Sequence, residues 1–84
     1  MPRPPPDGFP GRLIQARGEW PQGRLDRLAR LPAGSVAHYE EDGRLPNLRS
    51  LRALAEALGC TVGWLADGSG PAPHPRTMLE EKRP

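Results

Sequence analysis

The sequence predicts an all-α fold, a compact five-helix bundle, and three observations carry that prediction. Apolar residues recur at three- and four-residue intervals through the middle of the chain, the spacing that lines one face of a helix. Glycine, asparagine and proline stand where these stretches begin and end, as helix caps and breakers do. The connections they leave are two to six residues long, the length that joins packed helices. The ends of the 84-residue chain differ in character. Residues 1–8 read as a flexible proline-rich arm and residues 69–84 as a flexible tail rich in proline and charge, since such runs favour solvated, extended backbone. Residues 9–68 remain as the domain.

The first helix is the least marked. Leu13, Ile14 and Ala16 supply its apolar content, with Pro10 and Gly11 limiting its start and Gly18 its end. The second is clearer: Leu25, Leu28 and Ala29 keep helical spacing, and Pro21 suits a first turn, where its missing N–H is not needed. Pro32 disfavours helical backbone at Leu31 and separates a third segment, Ala33 to about Glu41. Two helices joined by so short a break cross steeply, which is the helix-turn-helix arrangement. Asp42-Gly43-Arg44-Leu45-Pro46 reads as a loop. Asn47 then caps a fourth helix carrying the stripe Leu48, Leu51, Leu54, Ala55 and Leu58, stopped by Gly59. Thr61 caps a final short helix, Val62 to Ala66.

Composition narrows the function classes. A lone Cys60 makes no internal disulfide, and no Cys/His spacing fits a zinc site. No apolar run is long enough to span a membrane and no signal-peptide core is visible, so a soluble, cytoplasmic protein is expected. No nucleophile–base pair, phosphate-binding loop or metal cluster appears, so neither an enzyme nor a cofactor is expected. A domain of about 60 residues is marginal in stability, which makes self-association a natural expectation. Net charge is only +2, so attraction for a polyanion has to come from how charge is distributed.

One string of residues goes further. Gln22-x-x-Leu25-x-x-x-Ala29-x-Leu31-Pro32-x-x-Ser35-Val36-x-x-Tyr39-Glu40 resembles the core of the phage-repressor and Cro-like (Xre) helix-turn-helix family. The more specific part follows: Pro46-Asn47-Leu48-x-x-Leu51-x-x-Leu54-Ala55-x-Ala57-Leu58-Gly59-Cys60-Thr61-Val62-x-Trp64-Leu65-x-x-Gly68. The resemblance implies a lambda-repressor-like domain that binds double-stranded DNA as a two-fold homodimer and regulates transcription, usually as a repressor. It implies that Gln22 anchors a phosphate at the start of the second helix. Ala33, Gly34 and His38 take the groove-facing positions of the third helix, with Ser35, Gly43 and Arg44 near the backbone. The chain departs from the family pattern at Pro21, where a small polar cap is usual, and at Asp42, where the loop glycine is usual. Asp26 and Arg30 stand where an alanine and the turn glycine are common.

Base edges are read best by side chains that make two hydrogen bonds. Alanine and glycine at positions 33 and 34 make none from a side chain, so direct readout is expected to be sparse and DNA shape or the terminal arms to supply part of any specificity. Arg24, Arg27 and Arg30 recur along one flank of the second helix and serve either DNA or solvent. His38 reads equally as a base contact or as an exposed side chain. Cys60 falls beside the apolar stripe and reads as core, and Glu40-Glu41-Asp42 as surface with Glu40 bonded inside the turn. Trp64 and Leu65 read as core and rim, with a dimer contact as a second reading. The alternative function is a protein-interaction module on a degenerate helix-turn-helix scaffold, such as an antitoxin-like partner.

Overall fold

A computed structural model describes residues 8–77, and its elements are five helices: α1 (Phe9–Arg17), α2 (Gln22–Leu28), α3 (Ser35–Asp42), α4 (Leu48–Leu58) and α5 (Val62–Asp67). Residues 1–7 of the expected arm (1–8) lie outside the described residues, as does the end of the tail beyond residue 77.

Helix α4 forms where the sequence places it. The Asn47 side chain accepts the Ser50 N–H at 2.8 Å, satisfying one of the donors that every helix start leaves open. At the other end Gly59 takes left-handed backbone (φ 72°), and Cys60 N–H donates to the Ala55 carbonyl at 3.0 Å. Leu51, Leu54, Ala55 and Leu58 are buried along one face, whereas Leu48 at the first turn is exposed. Removing a side chain such as Leu54 entirely from water contributes about 2–3 kcal/mol.

The other helices close on that face. Leu13 and Ala16 from α1, Leu25 and Ala29 from α2, Val36 from α3, and Trp64 and Leu65 from α5 complete the core with Phe9 and Trp20. Because Trp64 and Leu65 are both buried in their own domain, the rim position and the dimer contact considered for them fall away. Ile14 and Leu28, expected on apolar faces, are exposed instead. The α1 helix also starts earlier than expected, at Phe9, because Pro10 sits in its first turn, where proline is tolerated and its fixed φ is helical. Phe9 is thereby aimed inward, edge-on to Tyr39 of α3 with ring centroids 6.3 Å apart.

Arg12 is buried, which nothing local in the sequence indicates. Its guanidinium donates from Nε to the Leu65 carbonyl (3.1 Å) and from Nη2 to the Ala66 carbonyl (2.7 Å). These are last-turn carbonyls of α5, the negative end of that helix, where a cation is favoured.

Helix α2 ends in the same geometry as α4. Arg30 N–H donates to the Arg27 carbonyl at 3.1 Å and Leu31 N–H to the Asp26 carbonyl at 2.8 Å. That pairing needs left-handed backbone at residue 30, and Arg30 adopts it (φ 58°) as the one non-glycine among the described residues with positive φ. An L side chain there costs about 1–2 kcal/mol, partly offset because glycine loses more backbone entropy on folding. Arg30→Gly is therefore expected to stabilise the domain by about 0.5–1 kcal/mol. A higher urea midpoint at unchanged m checks it, and an unchanged or lower midpoint contradicts it.

Candidate nucleic-acid interface

The helix-turn-helix is built by α2, the turn 29–34 and α3. Helix α3 starts at Ser35, two residues later than the sequence reading puts it. Gly34 is the capping residue, in left-handed backbone (φ 91°), and brings no side chain to the open donors of the first turn. Asp26 of α2 supplies the missing acceptors. Its Oδ2 accepts the Gly34 N–H at 3.0 Å and its Oδ1 accepts the Val36 N–H at 2.8 Å. The carboxylate is buried and both oxygens are used, so the angle between α2 and α3 is fixed by two charge-assisted hydrogen bonds. Asp26 is thus the turn's structural tie, a role for which its departure from the family pattern was the only sequence signal.

A second tie holds the opposite ends of the same two helices. The Glu40 carboxylate accepts from Arg17 Nε (2.7 Å), Arg17 Nη2 (3.1 Å) and Gln22 Nε2 (2.8 Å). Arg17 also donates from Nη1 to the Trp20 carbonyl at 2.7 Å. Glu40 lies in the acidic stretch read as surface, yet its side chain is only 7% exposed, and the bond inside the turn extends into a three-residue hub.

Each expected site residue has a definite place on this frame. Gln22 is half-buried at the first position of α2, with one amide hydrogen engaged by Glu40. Its amide group carries a second hydrogen for an incoming acceptor. Ala33 and Gly34 are exposed and lie in the turn before α3 rather than within the helix, because left-handed Gly34 cannot continue a right-handed helix. Open space surrounds the position a Gly34 side chain would take. Ser35 is half-buried, and its hydroxyl donates to the Pro32 carbonyl at 2.7 Å. That proton is already committed, and a phosphate oxygen, being an acceptor, needs a donor.

His38 is exposed on α3, its ring 6.0 Å from that of Tyr39. Gly43 ends α3 in left-handed backbone. Arg44 follows with its side chain 88% exposed and Nε 3.4 Å from Asp42 Oδ2. An ion pair in that much water contributes about 0–1 kcal/mol, so it exchanges readily for another anion. Turn, α3 and loop 43–44 therefore present Ala33, Gly34, His38, Gly43 and Arg44 to solvent, and Gln22 is joined to α3 through Glu40.

Elsewhere, Cys60 is half-buried, and burial pushes its thiol pKa up. An open groove of ≈ 420 Å³ between α2 and α4 is lined by Leu28, Ala29, Arg30, Ala53, Glu56 and Ala57. Among the described residues no cluster of His, Cys, Asp and Glu is placed to hold a metal ion. No helix among them is long and apolar enough to cross a membrane.

Five helices with an α2–turn–α3 unit held by a buried acid at the turn define a helix-turn-helix domain. The helix-turn-helix family profile matches residues 13–65, and the chain belongs to that family, of the Cro/C1 type, whose members are DNA-binding regulators. Among solved structures, the fold is similar to the P22 c2 repressor in complex with the synthetic operator 9T. The TM-score is 0.69 at 23% identity, over 76% of this chain and 100% of that one. It is also similar to the solution structure of the DNA-binding domain of the P22 c2 repressor, with TM-score 0.64 and 23% identity, over 69% of this chain and 79% of that one. No curated protein sequence matches the chain.

Proposed function

We propose that this domain is a cytoplasmic, sequence-specific transcriptional regulator, a repressor, that binds duplex DNA as a two-fold dimer. The observation that carries the reading is the exposed surface of α3 and its flanking loops, held rigid by the Asp26 and Glu40 ties. In this reading α3 enters the major groove. His38 meets a base edge there, Ala33 meets a thymine methyl, and Gly34 lets the backbone come close. The second Gln22 amide hydrogen and the start of α2 meet one phosphate, and Gly43 and Arg44 meet the next. Ser35 lies near the backbone as an acceptor for water, because its proton is engaged. Support also comes from the full-length overlap with a repressor solved on an operator.

With one histidine as the side chain that reaches a base edge by hydrogen bonding, part of the specificity comes from DNA shape. Selection of bound duplexes from random DNA at two salt concentrations tests the proposal. The expected result is a paired half-site with centres about one helical turn apart. Arg44→Ala is expected to reduce the slope of log K against log salt by about one. Equal affinity for all duplexes at physiological salt contradicts the proposal.

A further inference from the structure

Everything after Gly68 is expected from the sequence to lie outside the domain, yet residues 75–77 return to it. Arg76 N–H donates to the Ala16 carbonyl at 3.1 Å, at the end of α1, and the Arg76 carbonyl accepts the Glu19 N–H at 2.9 Å. The Trp20 indole N–H donates to the Thr77 carbonyl at 3.2 Å. The Arg76 guanidinium reaches across to the Leu58 carbonyl at the end of α4 and lies 5.6 Å from the centroid of the buried Trp20 ring. Gly18 makes this possible. A Cβ there would run into the Arg76 backbone, so the segment crosses the α1–α2 junction where the chain has no side chain.

Two features favour local opening of these residues. Residues 75–77 hang on residues 68–74, which form no helix and are exposed apart from Pro73. Polar attachments hold them, backbone hydrogen bonds and the Arg76 guanidinium among them, whereas α1–α5 share a continuous apolar core. Segments with few buried apolar contacts open locally, at a free energy below that of global unfolding.

The junction it covers is wired to the proposed phosphate contact. Arg76 lies against the Trp20 ring, and the Trp20 carbonyl accepts from Arg17. Arg17 is paired with Glu40, and Glu40 holds the Gln22 amide. We infer that residues 75–77 form a releasable strap whose closure fixes the α1–α2 junction and thereby the Gln22 amide at the start of α2. The state of the C-terminal segment then sets affinity for DNA. The coupling half of this inference rests on the DNA-binding reading; the release half does not.

The test uses the full chain and its Arg76→Ala and Arg76→Lys variants. Hydrogen exchange followed by NMR reads closure at two sites, the Glu19 amide and the Trp20 indole N–H. In Arg76→Ala both are expected to exchange at least tenfold faster while the Leu54 and Leu58 amides keep their rates. Arg76→Lys, which retains charge but not the planar fork, is expected to fall between. Equal acceleration of the Leu54 and Leu58 amides overturns the strap as a local device, as does no change at Glu19.

Duplex binding then tests the coupling. Arg76→Ala is expected to bind the selected duplex at least threefold more weakly with an unchanged salt slope, since Arg76 faces the protein. By reciprocity, saturating duplex is expected to slow Glu19 exchange in the unsubstituted chain by at least that factor. A slope lowered by about one overturns the coupling by making Arg76 a direct phosphate contact. Unchanged affinity also overturns it. Absence of duplex binding in every variant overturns the DNA reading and the coupling with it, while the exchange contrast still decides whether the strap opens.

Discussion

Glu40→Ala is expected to lower the unfolding free energy by about 3 kcal/mol, the scale for breaking a buried ion pair by removing one partner. The carboxylate receives two donors from Arg17 and one from Gln22, and its side chain is 7% exposed against 18% for Arg17. Without it the guanidinium keeps the Trp20 carbonyl but loses its counter-charge at a part-buried site. A domain of this size holds roughly 3–9 kcal/mol in total, so the loss is large enough to populate unfolded chains. Glu40→Gln keeps shape and one acceptor, and its expected cost is about half as large. Urea unfolding followed by circular dichroism measures both. A change within about 0.5 kcal/mol for Glu40→Ala, the range of an ordinary surface substitution, contradicts the hub.

Asp26→Ala is expected to cost about 2–3 kcal/mol, because two backbone N–H groups lose a charged acceptor at a buried position. Gly34 has no side chain with which to replace it. In a domain this small that corresponds to a melting temperature lower by roughly 10–20 °C. Asp26→Asn keeps one acceptor but turns an NH2 toward an N–H donor, so it is expected to recover less than half of the loss. Differential scanning calorimetry separates the cases. If Asp26→Ala melts with the unsubstituted protein, α3 does not depend on α2 for its cap. The consequence for DNA differs between the two variants. Glu40→Ala releases the Gln22 amide at one end of the unit, whereas Asp26→Ala loosens the start of α3.

What could be read from the sequence was what is local. The stripe Leu51, Leu54, Ala55 and Leu58 declares α4 by spacing alone, and Asn47 and Gly59 declare its ends. The order of five helices follows from such signals, and the two-block resemblance fixes how they pack. Contacts between distant residues leave no such trace. Arg12 and Arg76 look like surface charge in composition, and only the folded chain brings carbonyls of α5 and α4 to their guanidinium groups. Ala33 and Gly34 fell on the wrong side of the helix boundary because the capping carboxylate comes from Asp26, eight residues before Gly34. The departures from the family pattern at Asp26 and Arg30 were nonetheless informative. One became the tie between the two helices and the other a strained turn. The exposed positions expected at the interface could be named from resemblance, but the hub that holds Gln22 could not.

The burial of Arg12 also sets an order in time. Its two acceptors lie 53 and 54 residues further along the chain. At ribosomal rates of about 5–20 residues per second, they are made roughly 3–10 s after Arg12 itself. Through that interval the guanidinium has no helix end to receive it, and desolvating a lone charge is costly. α1 therefore stays hydrated on that face until α5 is made. A chain stalled before α5 leaves that face of α1 without its partner, and the core that α5 completes closes only when nearly all of the domain has been synthesised.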